Sequence, residues 1–248
     1  MQFRTFGRTG MQLSVLGFGC GAVGGLMVRG DPADQERTIA RAIAAGVNYF
    51  DTAVLYGDGA SEENLGRVLR KLKPADVIVG TKVRLPPGGR GRIADAMTMS
   101  LDGSLVRLGL DRVDIFHLHN PVTETGGGSS LSVSQVLDDV VPAFERLRGH
   151  GKIRFLGITA LGDTAALRQV IDAGAFDSAR LSTICSIHPP ARTCRQAIRR
   201  RIMDDCSSPR RPPALAWWES ACLPAAHCLA RPNVTRWPVR PPSRLVRQ

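Results

Sequence analysis

Gly17-Phe18-Gly19-Cys20-Gly21 closes the first short apolar run of the chain, Leu16 to Gly19, and the segment after it separates an open sheet from a closed barrel. In an open doubly wound sheet a glycine-rich turn at this place reads G-x-G-x-x-G, passes straight into a helix and is followed by an acidic residue about 20 positions on. Here the glycines lead instead into a loop through Gly24, Gly25 and Pro32, and helical periodicity begins only near Asp34. Further apolar runs ending in polar residues recur at Val47 to Asp51, Val77 to Lys82, Val113 to His119 and Ile153 to Thr159. Amphipathic stretches separate them: Asp34 to Ala45, a second opening at Ser61-Glu62-Glu63-Asn64-Leu65, then Ile93 to Leu108, Val136 to Leu147 and Thr164 to Ala173. Gly46 and Gly174 stand where the first and last of these helices should stop. Strand then helix, five times over, implies a parallel sheet. Without the dinucleotide fingerprint, that sheet is expected to be a (β/α)8 TIM-type barrel, of which about five strand-helix units are recognisable.

Composition narrows the class. The chain has 248 residues, 43% of them apolar, enough for a sizeable core, so disorder and collagen are excluded. No run approaches the roughly 18 apolar residues of a membrane span, and Met1-Gln2-Phe3-Arg4-Thr5 does not open like a secretory signal. A cytoplasmic location without a membrane partner is the expectation. The formal charge of +11 suggests an anionic partner such as nucleic acid, but it is unevenly spread. Residues 181–248 hold 12 Arg against 3 acidic residues, together with all three Trp, five of the six Cys and ten of the sixteen Pro, yet no Gly and no Lys. Residues 1–180 are therefore read as one unit and 181–248 as a basic Pro/Arg/Cys-rich tail.

In a barrel, chemistry collects at the carboxyl ends of the strands. Asp51, Lys82 and His119 end the second, third and fourth apolar runs, and Tyr56 lies in the loop after Asp51. Strand alternation keeps Tyr49 with Asp51, Ile78 and Gly80 with Lys82, and Ile115 and His117 with His119 on one face each. If those faces point inward, the ionisable groups converge at the mouth. A free phenol, with a pKa of about 10, donates a proton poorly at neutral pH, and a neighbouring ammonium favours its ionised form. Lys82 can supply that charge, and a carboxylate such as Asp51 offsets the cost of burying it. His119 would then orient a carbonyl oxygen beside the phenol. His117 reads best as a second polar layer beneath the site, and Gly126-Gly127-Gly128-Ser129-Ser130 as a flexible segment.

Four runs carry a resemblance: Asn48-Tyr49-Phe50-Asp51-Thr52-Ala53-Val54-Leu55-Tyr56-Gly57 with Ser61-Glu62-Glu63-Asn64-Leu65-Gly66; Gly80-Thr81-Lys82; Val113-Asp114-Ile115-Phe116-His117-Leu118-His119-Asn120-Pro121; and Gly151-Lys152-Ile153-Arg154-Phe155-Leu156-Gly157-Ile158-Thr159. In this order they resemble the aldo-keto reductases over roughly residues 3–180. The resemblance implies NADP(H) across a barrel mouth and a catalytic tetrad of Asp51, Tyr56, Lys82 and His119. Tyr56 would be the general acid, and the substrate a small carbonyl compound or sugar. The implied cofactor contacts are Cys20, Gly21, Ala22, Asp51 and Thr159; Thr159-Ala160 stands where many relatives have Ser-Asn to hold the carboxamide. No metal is implied. A non-catalytic binding or regulatory subunit on the same fold, and an inactive truncated product, are the alternatives.

The tail is where the resemblance stops. Read two nucleotides out of frame through degenerate codons, residues 179–191 permit Gln-Val-Val-Tyr-Asn-Leu-Leu-Asn-Pro-Ser-Ala, which resembles the family's sixth strand. In the same displaced frame residues 201–206 permit Asp-Tyr-Gly-Arg-Leu, and residues 216–230 permit Val-Val-Gly-Ile-Arg-Val-Leu-Ala-Gly-Gly-Ala-Leu-Ser-Gly, similar to the family's seventh strand. A frameshift near residues 178 to 181 is the expectation, and with it no carbonyl reduction by the chain as written. Cys185, Cys194, Cys206, Cys222 and Cys228 with His188 and His227 lack zinc-site spacing. Trp217-Trp218 among arginines has no nucleic-acid module around it, so no nucleic-acid partner is expected.

Overall fold

The structure, a computed structural model, describes residues 1–21, 24–87, 92–183 and 216–221. It opens on an antiparallel hairpin, β1 (Phe3–Thr5) and β2 (Gln12–Ser14), bridged by a 3-10 turn at Gly7–Thr9. The strand β3 (Phe18–Gly19) comes next, then α1 (Leu26–Arg29), α2 (Pro32–Ala44), β4 (Tyr49–Asp51), α3 (Ala60–Leu72), β5 (Ile78–Val83), α4 (Ile93–Leu108) and β6 (Val113–Leu118). A short parallel pair, β7 (Val122–Thr123) and β8 (Leu131–Ser132), precedes a π-helical turn (Gln135–Val140) that runs into α5 (Val141–Gly149). The described chain ends with β9 (Ile153–Thr159), α6 (Thr164–Asp172), β10 (Ser178–Thr183) and β11 (Ala216–Ala221).

Among the described residues the main sheet has the order β11-β10-β9-β6-β5-β4-β3, with every neighbouring pair parallel. It is part of a (β/α)8-type barrel whose two edges, β3 and β11, are not joined among the described residues. Strand alternation divides the core in two. Phe50, Val79, Phe116, Leu118, Leu156 and Ile158 face the helices, whereas Tyr49, Ile115, Ile78 and Phe155 face the hollow side, where Phe6, Met11 and Leu13 of the hairpin cover them. The sequence pattern did not announce this hairpin. Arg8 fastens it to the far side of the sheet, donating from Nε to Asp177 Oδ1 at 3.0 Å and from Nη2 to the Phe176 carbonyl at 2.6 Å.

The helices obey their end signals. Asp31 caps α2 by accepting from the Ala33 and Asp34 amides, with Pro32 in the first turn. Gly46 and Gly174 both lie in the left-handed region, at φ 88° and 70°, as their positions after α2 and α6 require. The helix expected over Val136 to Leu147 does differ: Pro142 has no N–H to give to the turn before it, and that turn widens into the π segment. Gly126, Gly127 and Gly128 all have positive φ, and Gly127 and Ser130 exchange backbone hydrogen bonds. The glycine-rich segment expected to be flexible forms a turn closed by these bonds. β10 crosses residue 180 and pairs with β9, so among the described residues the sheet runs on past the fifth recognisable strand to an edge at β11.

α3 and α4 meet where α3 has no side chain. A Cβ on Gly66 would sit 2.3 Å from the Leu108 carbonyl oxygen and 2.6 Å from that of Arg107. Alanine normally stabilises a helix interior relative to glycine by about 1 kcal/mol. Here the sign reverses, because the obstructing atoms are backbone: Gly66→Ala is expected to destabilise the chain by about 1–3 kcal/mol. A denaturation midpoint followed by circular dichroism checks this, and a raised midpoint would show that the helices part freely.

Candidate active site

The carboxyl ends of β4, β5 and β6 bring the ionisable residues together. Asp51 is the last residue of β4 and Lys82 the penultimate residue of β5, both inward and both buried. Gly80, two residues before Lys82, leaves space for the ring of Tyr49: a Cβ there would stand 2.6 Å from the phenol oxygen. Tyr56 is held by the turn after β4, in which Gly57, Asp58 and Gly59 all take positive φ. Its amide donates to the Ala53 carbonyl, and its own carbonyl accepts from Ser61 at the start of α3. His119 directly follows β6, its amide bound to the Val83 carbonyl at 2.8 Å.

The Lys82 ammonium has three protons and three acceptors. Nζ donates to Asp51 Oδ2 at 2.8 Å, to the Thr52 carbonyl at 2.7 Å and to Tyr56 Oη at 3.1 Å. It also lies 4.5 Å from the centre of the Tyr56 ring. Such a cation is tolerable without solvent because every donor is used and a carboxylate faces it. Burial pushes the Asp51 carboxyl up, but Lys82 and Arg180 outweigh it and hold the group below the usual carboxylate range.

His119 stands edge-on to Tyr56, with ring centres 6.3 Å apart. Burial, then the charges of Lys82 and Arg180, push it down to about 4, so it is neutral at pH 7. Its Nδ1 is buried and has no hydrogen-bond partner among the described residues. His117 lies one layer deeper, opposite Gly157, where a Cβ would come 2.3 Å from its ring. Burial dominates there too: against the pull of Asp51, and with Lys82 and Arg180 opposing protonation, His117 is pushed down to about 3.

The sign of the resulting pH dependence is definite. An unfolded histidine takes up a proton near pH 6.5, while folded His117 refuses it until about 3. Stability therefore falls as pH drops below 6.5, by up to about 1.4 kcal/mol per unit for this group. His119 acts in the same direction. His117→Asn is expected to remove about half of the loss between pH 6.5 and 5 in denaturation midpoints; an unchanged slope would show that His117 does not resist protonation.

The other expected contacts fall around this core. The Cys20 amide donates to the Asp51 carbonyl at 2.9 Å and its carbonyl accepts from Ser61 Oγ at 2.9 Å. Burial pushes its thiol up, so it stays protonated. Gly21 borders Tyr56, since a Cβ there would meet the ring at 3.7 Å. Thr159 donates its hydroxyl proton to the Leu118 carbonyl at 2.9 Å, keeping its oxygen's lone pairs available. Ala22, and the tail cysteines and histidines, lie outside the described residues.

Two groups escaped the sequence reading. Arg180, on β10, places Nη1 3.1 Å from Asp51 Oδ2 and 3.3 Å from Tyr56 Oη. Glu62, fully buried, accepts from Thr81 Oγ1 and from Arg107 Nε at 2.7 Å, tying α3 to β5 and α4 beside Lys82. Its motif was legible, but its partners lie 19 and 45 residues away.

Residues 15–196 match the family described as the Aldo/keto reductase family. An L-galactose dehydrogenase of Arabidopsis thaliana is 37% identical over 163 residues, covering 65% of this chain and 49% of the relative. A probable voltage-gated potassium channel subunit beta of Oryza sativa is 33% identical over 130 residues, covering 50% and 39%. Among solved structures, an aldo/keto reductase of Klebsiella pneumoniae in complex with NADP and acetate superposes with a TM-score of 0.57 at 27% identity, over 73% of this chain and 58% of that one. The chain spans about half the length of the curated relatives it matches.

Proposed function

The chain belongs to the aldo/keto reductase family, and from that premise we propose that Asp51, Tyr56, Lys82 and His119 serve an NADP(H)-linked reduction of an aldehyde or ketone, or the reverse oxidation of an alcohol or sugar. The observation that carries this reading is the threefold engagement of Lys82, which fixes a phenol beside a neutral histidine at the strand ends. NADP(H), when bound, supplies the hydride for the carbonyl carbon. Tyr56 gives the proton to the carbonyl oxygen, and Lys82 holds the phenol in place and offsets the charge left on it. His119, neutral, holds the carbonyl oxygen through a ring N–H. Gly21, Thr159 and the buried Nδ1 of His119 fit a planar amide-bearing ring: an open face beside Tyr56, lone pairs on a hydroxyl and an unused polar atom. The sugar dehydrogenase and the NADP complex among the similar proteins support the same substrate and cofactor classes.

We propose further that the chain as written does not sustain turnover, because its tail is read out of frame. A barrel holds ligands by closing, and among the described residues β3 and β11 remain unjoined edges. With NADPH and a panel of aldehydes, ketones and aldoses, the purified chain should consume no cofactor above the substrate-free rate. The version with its tail translated in the displaced frame should consume it. Turnover by the chain as written, or stop codons in the displaced frame before Ala230, would remove the frame proposal. Silence from both versions, with cofactor still bound, would favour the non-catalytic binding subunit.

A further inference from the structure

We propose that Arg84 is a specificity-determining residue at the mouth, selecting aldehydes or ketones that carry an anionic group, a carboxylate or a phosphate, several bonds away from the carbonyl. This rests on the tetrad reading and adds to it the chemical class of the substrate.

Arg84 is aimed by its neighbours. Val83 and Leu85 are both buried in the core on the helix side of the sheet, so alternation turns Arg84, which lies between them, to the side of Lys82. The backbone is fastened on both flanks. The Val83 carbonyl accepts from the His119 amide at 2.8 Å. Leu85 exchanges two hydrogen bonds with the Asn120 side chain, its amide donating to Oδ1 at 2.8 Å and its carbonyl accepting from Nδ2 at 2.9 Å. Asn120 is itself buried, and Nδ2 donates also to the Ser129 carbonyl at 2.9 Å. Arg84 therefore sits beside His119, one step beyond the Val83–Leu118 pair of β5 and β6, and its charge is among those that oppose protonation of that ring.

Unlike Lys82, this cation is exposed, and among the described residues no carboxylate, carbonyl or hydroxyl accepts from it. Residues 83–94 contain three arginines and no acidic residue, so the loop after β5 offers no counter-charge of its own. A guanidinium presents a planar fork of donors that matches two oxygens of a carboxylate or phosphate. Two residues along a strand span about 7 Å. While Tyr56 and His119 hold the carbonyl oxygen, Arg84 thus faces a part of the substrate further out, where a neutral chain would leave the fork to water. The residues that place Arg84 all lie between positions 83 and 129, inside the stretch that matches the family and outside the tail, so the arrangement is common to the chain as written and to the version with the displaced-frame tail.

The test compares 4-carboxybenzaldehyde and 4-formylphenyl phosphate with 4-methylbenzaldehyde, using NADPH and the version with the displaced-frame tail. The ratio of kcat/KM for each acid to that for the neutral aldehyde should fall by about 10-fold or more in Arg84→Met, mostly through KM. Arg84→Lys, which keeps the charge and loses the fork, should recover part of the ratio. The two acids tell carboxylate from phosphate as the preferred group, and a ratio unchanged by Arg84→Met for both would overturn the proposal. Should none of the three aldehydes be reduced, saturation-transfer NMR of the chain as written, with 4-(hydroxymethyl)benzoate and with its methyl ester, carries the comparison without turnover or cofactor. Binding of the acid in preference to the ester, lost in Arg84→Met, would then support Arg84 as the anion site and count against the tetrad reading alone. Equal signals from acid and ester, or a preference for the acid that survives the substitution, would overturn the proposal, so the two failures are separable.

Discussion

Asp51→Asn is expected to lower the stability of the folded chain by about 3–5 kcal/mol, the range for removing one partner of a buried ion pair. The carboxylate faces Lys82, which has no exposed surface, and Arg180, which has little. An asparagine of the same shape keeps the hydrogen-bonding oxygen but takes from Lys82 the carboxylate it is paired with, in a site where water cannot replace it. Tyr49, whose phenol is pushed well up by burial and by Asp51 and which donates to Oδ1 at 3.5 Å, would lose an ionised acceptor too. For a domain of this size the loss corresponds to a fall of roughly 10 °C in melting temperature. Asp34→Asn is the matched control. Its pair with Arg37 joins two largely exposed side chains, so its loss should change stability by less than about 1 kcal/mol. Equal effects of the two substitutions would mean that Asp51 is not the charge that makes Lys82 tolerable.

The convergence of Asp51, Lys82 and His119 was legible because they lie at or next to strand ends that strand alternation makes predictable. Asp51 and Lys82 needed only the register of two parallel strands, and Tyr56 a short loop of fixed length. Ile93 to Leu108 and Ile153 to Thr159 coincide with α4 and β9, since Gly109 and Gly151 punctuate them sharply. What remained hidden depends on contacts distant along the chain. The hairpin of β1 and β2 has too few residues for its alternation to stand out, and its purpose appears only when Phe6 and Leu13 meet Tyr49 and Ile115. Arg180 is the last residue before the composition changes, and no motif of the sequence reading contains it. Only the pairing of β10 with β9 brings it to Asp51, 129 positions earlier in the chain. Position 142 shows the limit of periodicity: apolar spacing there is helical, but the missing proline N–H reshapes the turn before it.

Tyr56→Phe, made in the version with the displaced-frame tail, is expected to lower kcat by about 10²- to 10⁴-fold, the contribution of a positioned general acid. The substitution removes Oη alone. The ring that stands 4.5 Å from Lys82 and edge-on to His119 stays, so the fold and the substrate pocket are preserved. Without the hydroxyl, hydride reaching the carbonyl carbon would leave an alkoxide with no proton donor of fixed geometry, and Lys82 is not placed as its replacement, since it points at the oxygen that has been removed. KM should change little, because the loss is confined to the transition state. The direct measurement is single-turnover NADPH oxidation by this pair of proteins with a saturating aldehyde. A rate reduced at least about 100-fold, with cofactor affinity retained, is the result expected if Tyr56 is the proton donor; a rate equal to that of the parent would contradict it.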